Sequence, residues 1–244
     1  MTMAQLEIRD LTVDFGGFRA VDGLNLNVEK GELLCLLGPN GAGKSTTLDL
    51  ICGKTQPTSG KVVFDGATIT NLPEFKRARH GVGRKFQIPS VFKRLTVREN
   101  LELARSQRPG VWANITRILA KPSEALEKIM ETVGLTDQRH VLAENLSHGQ
   151  TQWLEIAMLL SQDCKLLLMD EPTAGMTASE TQRTAAILEK LHGERTIVVV
   201  EHDMQFVRKV ARRITVLHQG SVLAEGSIKD IESNPEVRSA YLGH

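Results

Sequence analysis

The chain has 244 residues, 41% of them hydrophobic and 24% charged, with a formal net charge of +1. Those proportions suit a globular domain, or a domain with a smaller lobe, and exclude a fibrous or low-complexity chain. A balance so near neutral gives no general attraction to nucleic acid or anionic lipid, so any such binding would need a local patch.

The stretch from Met1 to Asp10 lacks the positive-then-apolar layout of a secretory leader. No apolar run approaches the ~20 residues of a transmembrane helix. The expectation is a cytosolic chain that does not cross a membrane by itself. Leu6 and Ile8, then Leu24, Leu26 and Val28, alternate as in half-buried antiparallel strands. Leu33 to Leu37 is different, a continuous apolar run of the kind found in strands covered on both faces. Cys35 in that run, with Cys52 and Cys164, is odd in number and isolated. The three read as small core residues rather than a disulfide framework or a zinc site.

Directly after the buried run comes Gly38-Pro39-Asn40-Gly41-Ala42-Gly43-Lys44-Ser45, which matches G-x-x-x-x-G-K-[ST] and opens a helix through Thr46, Leu48 and Ile51. Strand, glycine loop and helix are the context that this phosphate-binding motif requires. Its glycines let backbone N–H groups turn inward around phosphate oxygens, and the helix end adds partial positive charge. Lys44 is expected on the β- and γ-phosphates and the Ser45 hydroxyl on Mg²⁺.

Lys76, Arg77, Arg79, His80, Arg84 and Lys85 form a basic stretch. With the total charge balanced, the expectation is a solvated helix face followed by a docking edge, not a nucleic-acid surface. A helix-rich middle follows, about 91–161. Thr96-Val97-Arg98-Glu99 is a capping box. Ser123 should open a helix with Leu126, Ile129, Met130 and Val133 on one face and Gly134 at its end. Another helix should begin near Ser147 and align Trp153, Ile156, Ala157 and Leu160. Leu166 to Met169 is a second buried strand, ending in Asp170 and Glu171. The first acid is placed for the magnesium shell and the second for activating a water. Ile197 to Val200 is a third such strand, followed by Glu201 and His202.

Between these parts, Leu146-Ser147-His148-Gly149-Gln150 resembles the Leu-Ser-Gly-Gly-Gln signature of ABC ATPases. Phe86-Gln87 resembles the family's Q-loop, and Val200-Glu201-His202 its switch region. The resemblance runs from Leu6 to Leu242 with the motifs in the family's order. It implies a single domain over residues 1–244. Its fold class is an α/β P-loop NTPase core of the ABC ATPase type, with an antiparallel β subdomain and a helical subdomain. ATP and Mg²⁺ are the implied cofactors. Phe15 would stack on adenine, and Gly38, Pro39, Asn40, Gly41, Ala42, Gly43, Lys44, Ser45 and Thr46 would hold the phosphates. Ser45, Gln87 and Asp170 would face the metal, and Glu171, His202 and Gln87 would be catalytic. Ser147, Gly149 and Gln150 would meet the nucleotide of a second ATPase subunit, identical or related.

The family pattern further implies two membrane-spanning subunits, an external solute-binding protein, no nucleic-acid partner, and a place on the cytoplasmic face of the inner membrane. Gly83 to Gln87, the signature with its continuation through Glu155, and Glu171 to Thr177 look like the urea branch of the transporters for branched-chain amino acids and amides. The stretch from Val216 to Gly226 points the same way. An importer of urea or short amides is the expectation, and a branched-chain amino acid importer the alternative. His148 replaces the first signature glycine, and Gly175-Met176-Thr177 lacks the aspartate of the family's D-loop. A soluble ABC ATPase acting on nucleic acid competes less well, because the chain has no long coiled-coil insertion with sustained heptads.

Overall fold

A computed structural model describes residues 4–85, 90–106 and 124–242. The alternating N-terminal segments form β1 (Ala4–Phe15) and β2 (Phe18–Glu29), paired antiparallel with Leu6 opposite Val28 and Ile8 opposite Leu26. With β4 (Ser59–Phe64) and β5 (Ala67–Thr68) they make a four-stranded sheet in the order β2-β1-β4-β5. The continuous apolar runs build a second sheet. Its strands are β3 (Leu33–Leu37), β6 (Val82–Lys85), β7 (Leu166–Asp170), β8 (Thr196–Val200), β9 (Arg213–His218) and β10 (Ser221–Gly226). The order is β10-β9-β3-β8-β7-β6, parallel except for β10 at one edge.

Every residue of β3, β7 and β8 is buried, because both faces of this sheet are covered. Leu34, Leu36, Leu166, Leu168, Val198 and Val200 join the core shared with the antiparallel sheet and α1 (Lys44–Cys52). Their neighbours Leu33, Cys35, Leu37, Leu167, Met169, Ile197 and Val199 pack on the helical side. Full burial of such a side chain is worth about 1.5–3 kcal/mol. The sheet therefore supplies stability, while the loops at its carboxyl edge can carry polar groups. Cys35, Cys52 and Cys164 are all buried inside these cores. Burial, with Glu201 nearby, pushes the Cys35 thiol up to about 12, so it is inert.

The helical side holds α3 (Val97–Ser106), α4 (Glu124–Val133), α5 (His148–Ser161), α6 (Ala178–Leu191) and α7 (Met204–Val210). Further α-helices among the described residues are α2 (Glu74–His80), α8 (Ile228–Ser233) and α9 (Pro235–Leu242). The Thr96–Glu99 box forms: the Glu99 amide donates to Thr96 Oγ1 at 3.2 Å and the Thr96 amide to Glu99 Oε2 at 2.7 Å. Leu126, Met130 and Val133 are buried on α4, and Gly134 follows at φ 70°. The cap expected at Ser123 lies outside the described residues. Trp153, Ile156, Ala157 and Leu160 are buried on α5, with Trp153 Nε1 donating to Thr184 Oγ1 at 2.9 Å. Among the described residues no helix is long and apolar enough to cross a membrane.

The basic stretch departs from expectation. Arg77 is fully buried. Its guanidinium donates to the carbonyls of Leu50, Ile51, Thr70 and Leu72, so it closes the C-terminal end of α1 rather than facing solvent. Arg84 and Lys85 are consecutive on β6 and therefore turn to opposite faces, where each meets carboxylates. Half of the six basic residues are thus interior parts of the fold: the solvated-face reading fails for Arg77, and the docking-edge reading fails for the buried side chains of Arg84 and Lys85.

Candidate nucleotide site

The phosphate loop runs from the end of β3 to the start of α1. Gly43 is the N-cap of α1 at φ 97°, with no side-chain cap and no acidic residue in the first turn. A Cβ at Gly43 would lie 2.4 Å from the Ala20 carbonyl of β2, so only glycine fits there. The loop is braced from outside. The Gly220 amide donates to Ala42 O at 3.1 Å, and the Asp22 amide to Gly220 O at 2.9 Å. From the other end of the chain, Tyr241 on α9 is hydrogen-bonded to the Gly38 backbone. Lys44 Nζ folds back over its own loop, donating to Gly38 O at 2.7 Å and Pro39 O at 2.9 Å. Partial burial pulls its ammonium below the usual lysine range, while Glu171 and Asp170 oppose that fall. Asn40 and Gly41 are exposed, Pro39 and Thr46 half-buried, and Ala42 buried.

Parallel pairing sets Asp170 beside Val200, and Leu36 beside Val200 on the other side. The ends of β3, β7 and β8 therefore lie together. Ser45 Oγ donates to Asp170 Oδ1 at 3.2 Å. Two oxygens, one hydroxyl and one carboxylate, suit a hard cation that keeps most of its shell in water and phosphate. Among the described residues no cluster of three or more His, Cys, Asp or Glu forms a self-sufficient metal cage. The pair thus fits Mg²⁺ delivered on a nucleotide.

Glu171 sits in the left-handed region at φ 46°. Its amide is held by Val200 O at 2.9 Å, so β8 fixes a conformation that a non-glycine residue seldom takes. The His202 Nδ1 atom is 3.5 Å from Glu171 Oε1. Between the two loops lies Glu201, buried and not singled out by sequence reasoning. Its Oε1 accepts from the Thr173 amide at 3.1 Å and from Thr173 Oγ1 at 2.6 Å, and its Oε2 accepts from the His202 amide at 3.2 Å. One carboxylate thereby spaces the loop after Glu171 from the loop carrying His202.

Ser147, Gly149 and Gln150 form a second group. Ser147 is the N-cap of α5, with the Gln150 amide donating to Ser147 Oγ at 3.2 Å and the Ser147 amide to Gln150 Oε1 at 2.9 Å. The Gln150 side chain is therefore committed to the cap. Ser147 Oγ and the Gly149 amide both donate to Glu180 Oε1, at 3.1 and 3.2 Å. A Cβ at Gly149 would fall 2.4 Å from that oxygen, so a side chain there would displace the Glu180 carboxylate. His148 Nε2 lies 3.0 Å from Ala174 O and ties α5 to the loop that follows Glu171. The N-cap of α6 is Thr177, which forms a capping box with Glu180.

Phe15 is 54% exposed at the β1–β2 hairpin opposite exposed Phe18, so it is no core residue. Phe86 and Gln87 lie outside the described residues. The structure thus brings Lys44, Ser45, Asp170, Glu171 and His202 to one sheet edge. It sets the Ser147 group against the loop and helix that follow Glu171.

The ABC transporter family model matches residues 21–174. The chain belongs to the ABC transporter family. The matched span includes the phosphate loop, the signature, Asp170 and Glu171; Phe15 and His202 lie outside it. The chain is 39% identical to the high-affinity branched-chain amino acid transport ATP-binding protein BraF of Pseudomonas aeruginosa, over 100% of this chain and 99% of that one. It is 36% identical to LivG of Escherichia coli K12, which carries the same description, over the same shares. Among solved structures it resembles the ADP conformation of MJ1267, an ATP-binding cassette of an ABC transporter, with TM-score 0.87 and 30% identity over 100% of both chains. The dimeric structure of MJ0796, a bacterial ABC transporter cassette, matches with TM-score 0.77 and 27% identity, over 91% of this chain and 98% of that one. This ABC transporter chain is an ATP-hydrolysing transport ATPase with the fold those relatives share.

Proposed function

We propose that this ABC ATPase works as half of a dimer, holding one nucleotide on its own phosphate loop and closing its partner's nucleotide with Ser147 and Gly149. The observation that carries the reading is the meeting of Ser45 with Asp170, at 3.2 Å, beside Glu171 fixed at positive φ and braced by His202. Lys44, released from its loop carbonyls, takes the β- and γ-phosphates. Ser45 and Asp170 face the Mg²⁺ that arrives with them, with Gln87 as a further contact implied by the family resemblance. When bound, that ion neutralises phosphate charge as the leaving group departs. Glu171 accepts the proton of the attacking water, and His202 restrains that carboxylate while offering its other nitrogen to the γ-phosphate. Phe15 lies on the adenine side. The dimeric relative supports a dimer of such chains.

Replacing Glu171 by Gln keeps the size of the side chain and removes the base. Phosphate release by the assembled complex should fall by ~10²–10⁴ while ATP binding persists. Near-normal release would exclude Glu171 as the base.

The family resemblance of the sequence implies a membrane-bound importer with two spanning subunits and an external binding protein, the ATPase dimer lying on the cytoplasmic face, and the relatives' names support an ATP-binding role in transport. For the cargo they favour branched-chain amino acids, the alternative reading of the sequence. Urea remains the second reading, on the resemblance of the signature around His148 and the loop from Glu171 to Thr177. Deleting the gene and following labelled leucine and labelled urea separates them. Loss of leucine uptake alone upholds the first reading, and loss of urea uptake alone replaces it with the second.

A further inference from the structure

Arg84 lies on β6, paired with Leu168 of β7, and its side chain is only 6% exposed. Its Nη2 donates to Asp170 Oδ2 at 3.2 Å, and its Nη1 to Asp49 Oδ1. Asp170 therefore has both oxygens assigned: Oδ1 takes the Ser45 hydroxyl and Oδ2 the guanidinium. Ser45 and Asp49 are four residues apart on α1, hence neighbours on one helix face. With the α1 backbone joining Ser45 to Asp49, these contacts close a ring. Helix α1 supplies two corners, β7 the third and β6 the fourth.

We propose that Arg84 is a positioning residue for Asp170, and that its anchor on Asp49 sets how well the site accepts the divalent cation. The proposal rests on the reading of Ser45 and Asp170 as the metal-side pair. A carboxylate with one free oxygen can swing about its last torsion. Held by the guanidinium, Asp170 keeps Oδ1 turned toward Ser45, so binding the ion costs no reorientation. The planar fork of arginine spans two carboxylates at once, which the single ammonium of lysine does less well. A merely stabilising role is the weaker account, because burying charges removes hydration that their attraction scarcely repays.

The test uses the full chain and measures affinity for a fluorescent ATP analogue without divalent ion, with Mg²⁺ and with Mn²⁺, alongside thermal stability. Asp49→Asn leaves Arg84 and Asp170 in place and withdraws the anchor's charge, together with the exposed Lys54 pairing at 3.8 Å; Arg84→Lys keeps the charge; Arg84→Met removes it. Loss of a partner to a metal-ligating group typically costs 10–100-fold in metal affinity. The metal-dependent gain in nucleotide affinity should fall within that range in Arg84→Met, and less in Arg84→Lys and Asp49→Asn. Affinity in the absence of metal, which depends on Lys44 and the loop amides, should not change. Bound Mn²⁺ in the ternary complex should show an altered electron paramagnetic resonance spectrum. Folded Asp49→Asn and Arg84→Lys proteins with wild-type metal dependence would overturn the proposal, even if Arg84→Met failed to fold. Asp170→Asn separates the two levels. If it leaves metal dependence untouched, the metal-side reading itself falls. If it abolishes that dependence while the other variants do not, only the role of Arg84 falls.

Discussion

At the first turn of α1 the cap is Gly43, in the left-handed region, with no side-chain hydrogen bond and no acid beside it. The first turn of α5 is furnished the opposite way. Ser147 completes a capping box there, and the Glu180 carboxylate of the same chain already sits on Ser147 Oγ and the Gly149 amide. Both helix ends attract anions through their dipoles. The phosphate loop thus leaves its helix end open to a nucleotide, whereas the signature helix is stabilised by an internal anion, which in the proposed dimer would give way to a phosphate from the other chain. Glu180 is suited to that place. The Thr177 amide and hydroxyl, then Ser147 and Gly149, hold its carboxyl below the usual glutamate range against a small opposing effect of burial.

The largest effect should come from the α1 side. Lys44→Ala should abolish nucleotide binding, measured by equilibrium titration, because no other cation in the loop replaces the ammonium. If binding persisted, the loop amides rather than Lys44 would carry the phosphates. A smaller effect is expected for Phe15→Ala. Aromatic stacking is worth about 0.5–1.5 kcal/mol, so affinity should drop roughly threefold to tenfold. Unchanged affinity for ATP and GTP alike would remove Phe15 from the adenine side.

Glu180→Gln sharpens the comparison at α5. It preserves the capping-box geometry and withdraws the internal charge, an interaction worth about 0.3–1 kcal/mol at a helix end. ATP-driven association should tighten by roughly twofold to fivefold on that basis. Weaker association would make Glu180 a support for the signature rather than a competitor. The smallest effect is on stability against pH. A depressed carboxyl stabilises the fold above the ordinary glutamate range and loses that contribution as pH falls through its folded value. The stability gap between wild type and Glu180→Gln should therefore shrink on acidification. A gap independent of pH would mean that the Glu180 charge is not held by its neighbours.

Much of this was legible in the sequence, for local reasons. The phosphate loop is one contiguous segment whose chemistry travels with it, and the continuous apolar runs announce strands covered on both faces. The capping box at Thr96 spans only four residues, and the helix start near Ser147 is equally local. What sequence reasoning missed depends on distant partners. Arg77 is interior because α1 ends above it with open carbonyls, and Lys85 because Glu155 of α5 comes to within 3.6 Å. Counting basic residues in a stretch could not reveal this. The alternation of a short strand did contain a signal, since Arg84 and Lys85 had to face opposite layers. Glu201 and Glu180 were hidden similarly: each is an ordinary acid in sequence and gains its role from loops that the parallel sheet gathers.

The most direct test compares two proteins by light scattering with saturating Mg²⁺ and ATP, alone and with a related ATPase chain where one is the natural partner. The first carries Glu171→Gln, and the second adds Ser147→Arg, whose bulky cation opposes the helix dipole and blocks the approaching phosphate. The shared-site account predicts that both bind ATP, that the first forms a stable dimer, and that the second stays monomeric or closes only one of two sites. Equal, full dimerisation of both proteins would contradict it.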